Sequence, residues 1–185
     1  MKTANKQLNG FDLETIDNTI SALKDNPKIA EFKFRAKNKW VSGLRNKSYI
    51  QGFYGALEED STRKTPFEYE TDMPQVLNGN NTAPSPPEYY LHSLASCLTT
   101  SMMLLASSKG IEINGVTISV EGDINFNGFL GLNTNTLKEY QGIKVKIDVE
   151  GNLTELERQE LLNLAKRSPI YNAVINPVAV DMSLK

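Results

Sequence analysis

The sequence predicts an α+β domain built on mostly antiparallel sheet. Three observations predict it. Several short runs alternate apolar and polar residues at a period of two. One long stretch near the middle, apolar or small on every face, carries helix start and stop signals. The patterns follow the order helix, three strands, long helix, two strands, helix, strand, which is not the strict alternation of a parallel α/β sheet.

Phe11 to Leu23 reads as a short amphipathic helix, with Phe11, Ile16, Ile20 and Leu23 near one face and Pro27 soon after. Residues 1–28 are therefore expected to form an N-terminal helical extension, with 29–185 as the main domain. Phe32, Phe34 and Ala36 alternate with Lys33, Arg35 and Lys37 as a first strand. Trp40 to Asn46, with Gly43, reads as a hairpin connection to a second strand, Lys47 to Tyr54. The acidic segment from Gly55 to Arg63 reads as a solvated loop, and Lys64 to Glu70 as a third strand. Asp72 to Pro87, with four prolines and Asn78-Gly79-Asn80-Asn81, is a long connection of the kind that is often functional.

The long helix starts at Ser85. Ser85 suits the N-cap, Pro86 the first helical position, and Glu88 the third, a capping box with Pro at N1. Gly110 is a natural residue just past its end. Its apolar and small faces predict a largely buried helix. His92 and the many Ser and Thr residues argue against a membrane span, which needs about 20 predominantly apolar residues. Val116, Ile118 and Val120 mark one later strand, and Ile143, Val145, Ile147 and Val149 another. The Gly- and Asn-rich segment between them reads as a strand end plus loop. A second capping box, Thr154 to Glu157, opens a helix whose stripe of Leu161, Leu164 and Ala165 runs on to Ser168, with Pro169 at its end. Val178, Val180, Met182 and Leu184 alternate as a last strand.

Composition narrows the function. Lys plus Arg is 20 against 22 for Asp plus Glu, a formal charge of -2. That balance, without a basic-aromatic platform, excludes a strongly electropositive nucleic-acid binder. One cysteine excludes an internal disulfide and a Cys-rich zinc site, and one histidine leaves little for a His-based metal site or a Ser-His-Asp triad. There is no phosphate-binding glycine loop, so neither cofactor nor metal is expected. The polar N-terminus carries no apolar signal core, and a reducing cytoplasm is the expected setting.

Cys97 is the strong nucleophile candidate. A free cysteine usually packs as a small hydrophobe, but Ser93, Leu94, Thr100 and Ser101 lie one turn either way on its face, so its surroundings are partly hydroxylated. It lies about three turns into the helix, beyond the main reach of the helix dipole, so activation needs another positive charge. Arg45, in the early hairpin, and Arg63, before a strand, offer the fixed guanidinium fork that holds a thiolate or a peroxide oxygen, although either can be a surface charge. Glu88 either caps the helix or orients such an arginine. Nine residues at about 100° each put Glu88 and Cys97 on opposite faces, about 13.5 Å apart along the axis. On a continuous helix they meet only if a second subunit supplies one of them. His92, about 140° around the helix from Cys97, is poorly placed as its base. Tyr89 and Tyr90 either pack in the core or line an apolar pocket.

The stretch Pro84-Ser85-Pro86-Pro87-Glu88-Tyr89-Tyr90-Leu91-His92-Ser93-Leu94-Ala95-Ser96-Cys97-Leu98-Thr99 resembles the Pro-x-Glu-x-Leu…Ala-x-Cys segment of the OsmC/Ohr family. Ala165 to Ile170 resembles its second segment, which carries a cysteine before proline in peroxidatic members. The resemblance covers roughly Phe32 to Leu184. It implies an intertwined homodimer, with antiparallel sheets wrapped around long central helices and sites at the subunit boundary. It also implies thiol-dependent reduction of organic hydroperoxides. Cys97 matches the peroxidatic cysteine, Glu88 the family carboxylate, and Arg45, by position, the activating arginine. The second family cysteine is Ser168 here. Serine cannot resolve a sulfenic acid as a disulfide, so either an external thiol completes the cycle or the scaffold is a non-catalytic dimer. In the second case it would bind an apolar small molecule or a protein partner.

Overall fold

The computed structural model describes residues 7–176 and 178–184. The first six residues of the expected extension therefore lie outside it, as do Pro177 and Lys185. The described chain comprises two compact units, Glu14–Tyr90 and a second formed by residues 7–13 and 91–184.

In the first unit, helix α1 (Leu13–Asp25) carries Glu14 in its first turn and Lys24 in its last, each at the helix end whose partial charge it complements. A turn of 3-10 helix over Pro27–Ala30 follows. The sheet is β3 (Lys37–Ser42), β4 (Arg45–Ile50) and β7 (Phe67–Thr71), antiparallel in the order β3-β4-β7. Phe32 to Ala36, expected as a strand, pairs its backbone with the sheets only through a single bridge, Lys33 with Tyr54. The ladder starts at Lys37 instead, because β3 pairs with β4 up to the Gly43 turn, where a register shift falls between Trp40 and Ser42. The expected loop over Gly55 to Arg63 is in part a second hairpin, β5 (Phe53–Gly55) with β6 (Glu58–Asp60). Ala56 and Leu57 turn it with φ of 51° and 70°. Positive φ at both central residues is the requirement of the type I′ hairpin, usually met by Asn-Gly, so the sequence signal for this turn was missing.

The second unit holds the core. It includes the short hairpin β1 (Gln7–Leu8) with β2 (Phe11–Asp12), and most of helix α2 (Pro86–Ser108). Its sheet pairs β8 (Gly115–Asp123) with β9 (Gly142–Glu150) in continuous antiparallel register. Leu94, Leu98, Met102 and Ala106, four apart, form the buried stripe of α2. They cluster with Ile111, Ile113, Leu161, Leu164 and Ala165, and Val116, Ile118, Val120, Ile143 and Ile147 of the sheet pack against them. A Schellman motif closes α2. Ile111 N–H reaches the Ala106 carbonyl and Gly110 N–H the Ser107 carbonyl, both at 3.0 Å, with Gly110 at φ 75°.

Helix α2 is less buried than its composition suggests. His92, Ser96, Thr100 and Leu104, also four apart, line an exposed stripe. Between β8 and β9 lies a short helix, α3 (Phe126–Phe129). Helix α4 (Glu155–Ala165) opens with the expected capping box. Pro169 does more than end that helix, because it starts a further one, α5 (Pro169–Ile175). The expected last strand is not formed. Residues 178–184 make no ladder with any described residue, and Val180 and Met182 are 77 % and 87 % exposed. Alternation supplies a strand's faces, but a strand exists only where a neighbour's backbone completes its hydrogen bonds.

Candidate functional site

Cys97 is a free thiol of intermediate exposure. On the helix it stands between the two stripes, about 60° from Leu94 and Thr100 and about 100° from Leu98 and Ser96. Its position is therefore neither that of a sealed core residue nor that of a surface one.

Helix α2 runs unbroken from Pro86 to Ser108. The premise of the spacing argument holds, and Glu88 and Cys97 stay about 13.5 Å apart along the axis. Glu88 Oε2 accepts from the Ser85 N–H and the Ser85 hydroxyl, each at 2.7 Å. The Ser85 carbonyl receives the first helical bond, from Tyr89 N–H at 3.0 Å. The hydroxyl first and the backbone N–H second hold Glu88 below the ordinary glutamate range, against a smaller effect of burial.

Arg45 opens β4 just after the Gly43 turn. Its guanidinium Nη2 lies 3.2 Å from Glu70 Oε2 of β7, with Arg45 34 % and Glu70 45 % exposed. Alternation in the sheet explains the pairing. Arg45, Lys47 and Tyr49 share one face with Glu68 and Glu70, and Lys47 Nζ reaches Glu68 at 2.6 Å. Tyr69 points to the other face, where its ring meets Tyr89 of α2 edge-on, centroids 6.3 Å apart. Within this unit, then, Arg45 and the first turn of α2 lie on opposite faces of the sheet. An ion pair this exposed contributes about 0–1 kcal/mol, so the guanidinium is released at little cost.

Arg63 is held more firmly. Its Nη1 donates to the Gln51 carbonyl at 3.1 Å, and its guanidinium sits 5.3 and 5.2 Å from the ring centroids of Phe53 and Phe67. His92 is exposed, and Tyr90 is 41 % exposed. Ser168 is fully buried. It is the N-cap of α5, accepting from Tyr171 N–H at 3.1 Å.

Sequence reasoning missed two groups here. Glu70, the partner of Arg45, looked like the outward half of a strand. Asp72, fully buried, stood at the head of a loop whose Asn, Thr and Gly residues signal turns but not which carboxylate they surround. Among the described residues no group of His, Cys, Asp and Glu could hold a metal ion, and no helix is long and apolar enough to cross a membrane.

These features define an α+β fold that presents one partly accessible thiol from the flank of its longest helix. The chain belongs to the OsmC-like protein family, whose model matches residues 79–183, more than half of its length. Solved structures share the fold. An OsmC-like protein from Mycoplasma pneumoniae superposes with a TM-score of 0.60 at 19 % identity, covering 78 % of this chain and 89 % of that one. An organic hydroperoxide resistance protein from Elizabethkingia anophelis gives 0.51 at 18 % identity, over 78 % and 90 %. The organic hydroperoxide resistance protein OhrB of Bacillus subtilis gives 0.50 at 19 %, over 82 % and 98 %. No curated protein matches the chain.

Proposed function

We propose that this protein is a one-cysteine, thiol-dependent reductase of organic hydroperoxides, acting as a cytoplasmic homodimer in oxidative-stress defence. The observation that carries the reading is Cys97, a partly accessible lone thiol, which the motif resemblance matches to the peroxidatic cysteine. The names of the Elizabethkingia and Bacillus structures support the substrate class. Two features support the dimer. One is the exposed stripe of α2, and the other is the alternating, unpaired segment 178–184.

The Cys97 thiolate attacks the outer oxygen of the hydroperoxide. The O–O bond breaks, the alkoxide takes a proton and leaves as the alcohol, and the sulfur becomes a sulfenic acid. An external thiol condenses with the sulfenic acid, releasing water and leaving a mixed disulfide. A second external thiol displaces Cys97 and leaves as the small-molecule disulfide. On this reading Cys97 of one copy is served by Glu88 of the other. Arg45, on the opposite sheet face from that helix start, leaves Glu70 to reach a thiol and does not act as a fixed pair with the Glu88 of its own copy. Ser168 takes no part, because its hydroxyl is committed to capping α5.

The test is mass spectrometry of Cys97 after substoichiometric cumene hydroperoxide, with and without a sulfenic-acid trap. A trapped adduct at Cys97, and loss of peroxide consumption in a folded Cys97→Ser variant, are expected. An unmodified thiol and undiminished consumption in the variant would sink the reading. The second reading, a dimer binding an apolar small molecule, is favoured by a cavity of about 240 Å³. Met102, Ile147, Val149, Leu161 and Leu162 line it, with Asp148 and Arg158. It gains if the purified protein keeps a ligand that blocking Cys97 does not displace.

A further inference from the structure

After β7 the chain makes a loop whose two ends meet at Asp72. The Asp72 N–H donates to the Pro84 carbonyl at 3.3 Å. Its buried carboxylate accepts four more bonds, all from the loop it closes. Met73 N–H reaches Oδ1 at 2.8 Å. Asn80 N–H at 3.1 Å, Thr82 N–H at 3.2 Å and the Thr82 hydroxyl at 2.8 Å all reach Oδ2. Oδ2 takes three of these bonds and Oδ1 one, so both oxygens of the carboxylate are held by the loop itself. Burial pushes the carboxyl up, but the bonds from Met73, Thr82 and Asn80 outweigh it and leave Asp72 below the ordinary aspartate range.

The loop is braced inside as well. Gly79 N–H reaches the Pro74 carbonyl at 3.2 Å and Asn81 N–H the Met73 carbonyl at 3.1 Å. A side chain at Gly79 would run into the Met73 backbone. Long loops in compact domains are commonly functional or disordered, and this one is ordered around a carboxylate that binds only the loop itself. What the loop delivers is the residue after Pro84. That residue is Ser85, buried, whose N–H and hydroxyl are the two donors on Glu88.

We propose that Asp72 is a positioning residue for Glu88, acting through the loop it closes and through Ser85. The inference rests on Glu88 serving the thiol as read above. Asp72 fixes Pro84, the Pro84–Ser85 junction fixes two donors, and the donors fix the carboxylate. Misplacing such a group by about 1 Å can cost on the order of 10²-fold in rate.

The test is a double-mutant cycle on the full-length protein, with folding checked by circular dichroism. Asp72→Asn sets an amide against backbone donors. Thr82→Val removes one donor and is the milder variant. Two quantities are read, the pH profile of Cys97 alkylation by iodoacetamide and the turnover of cumene hydroperoxide with dithiothreitol. Asp72→Asn is expected to move the alkylation midpoint in the same direction as Glu88→Gln and to lower turnover about tenfold or more. The double variant should be no worse than Glu88→Gln alone. Additive effects, a wild-type alkylation profile for folded Asp72→Asn, or a Glu88→Gln variant with no effect would each overturn the proposal. Should Asp72→Asn fail to fold, Thr82→Val takes its place in the cycle, with the same direction expected. A wild-type protein that turns over no peroxide rejects the peroxidase reading, and the alkylation cycle then decides the role of Asp72 separately.

Discussion

At the scale of single residues, the side chains around the site differ in how committed they are. Glu88 has both its donors from Ser85 and Asp72 has four from its own loop, whereas Arg45 has one exposed carboxylate. That asymmetry makes Arg45 the mobile member of the set. Thr71 is a different case. It is 8 % exposed, and its hydroxyl has no hydrogen-bond partner among the described residues. A buried, unsatisfied hydroxyl costs about 1–3 kcal/mol, and an isosteric apolar residue removes that cost. If nothing in the assembled protein meets this hydroxyl, Thr71→Val stabilises by about 1 kcal/mol in urea unfolding. A loss of stability instead would mean that a second copy supplies the missing partner.

At the scale of elements, the helix ends show why some boundaries are readable and others are not. Thr154 and Glu157 form a complete capping box, with Glu157 N–H on the Thr154 hydroxyl at 3.2 Å and Thr154 N–H on Glu157 at 2.8 Å. The same residue types at Ser85 and Glu88 mark the start of α2. Helix α5 uses the same physics with weaker punctuation, a serine N-cap followed by proline at N1 directly after another helix. Loss of a serine cap costs about 0.5–2 kcal/mol. Ser168→Ala should therefore destabilise the fold by about 1 kcal/mol in thermal or chemical unfolding, with peroxide turnover per folded molecule unchanged. A drop in turnover without a drop in stability would show that the hydroxyl acts in chemistry, against the one-cysteine cycle.

At the scale of the whole molecule, the exposed apolar surface is the main fact. Phe32, Phe34 and Phe53 stack on one another while Phe32 and Phe34 remain 51 % and 74 % exposed. Trp40 is likewise 74 % exposed. Monomeric soluble proteins rarely leave large contiguous apolar surface open, so a partner surface is expected. The proposed homodimer supplies one. Analytical ultracentrifugation should find a dimer at micromolar concentration, and Val180→Asp, on the unpaired C-terminal segment, should shift it toward monomer. A wild-type chain that sediments as a monomer would remove the site built from two copies and leave Cys97 without its carboxylate.

The sequence by itself determined the α+β class, the two principal helices with their caps, the existence of the strands that become β8 and β9, and the family, because each rests on local periodicity or on a motif in one contiguous stretch. It also determined that Glu88 and Cys97 cannot meet on one continuous helix, since spacing alone settles that. Tertiary structure decided the rest. Which strand a half-apolar run becomes depends on whether a neighbour completes its ladder, so Lys37–Ser42 pairs while Val178–Leu184 does not. Which carboxylate holds Arg45, and which one closes the loop before α2, depend on sheet faces and on backbone donors up to ten residues away, and no pattern of residue types records these.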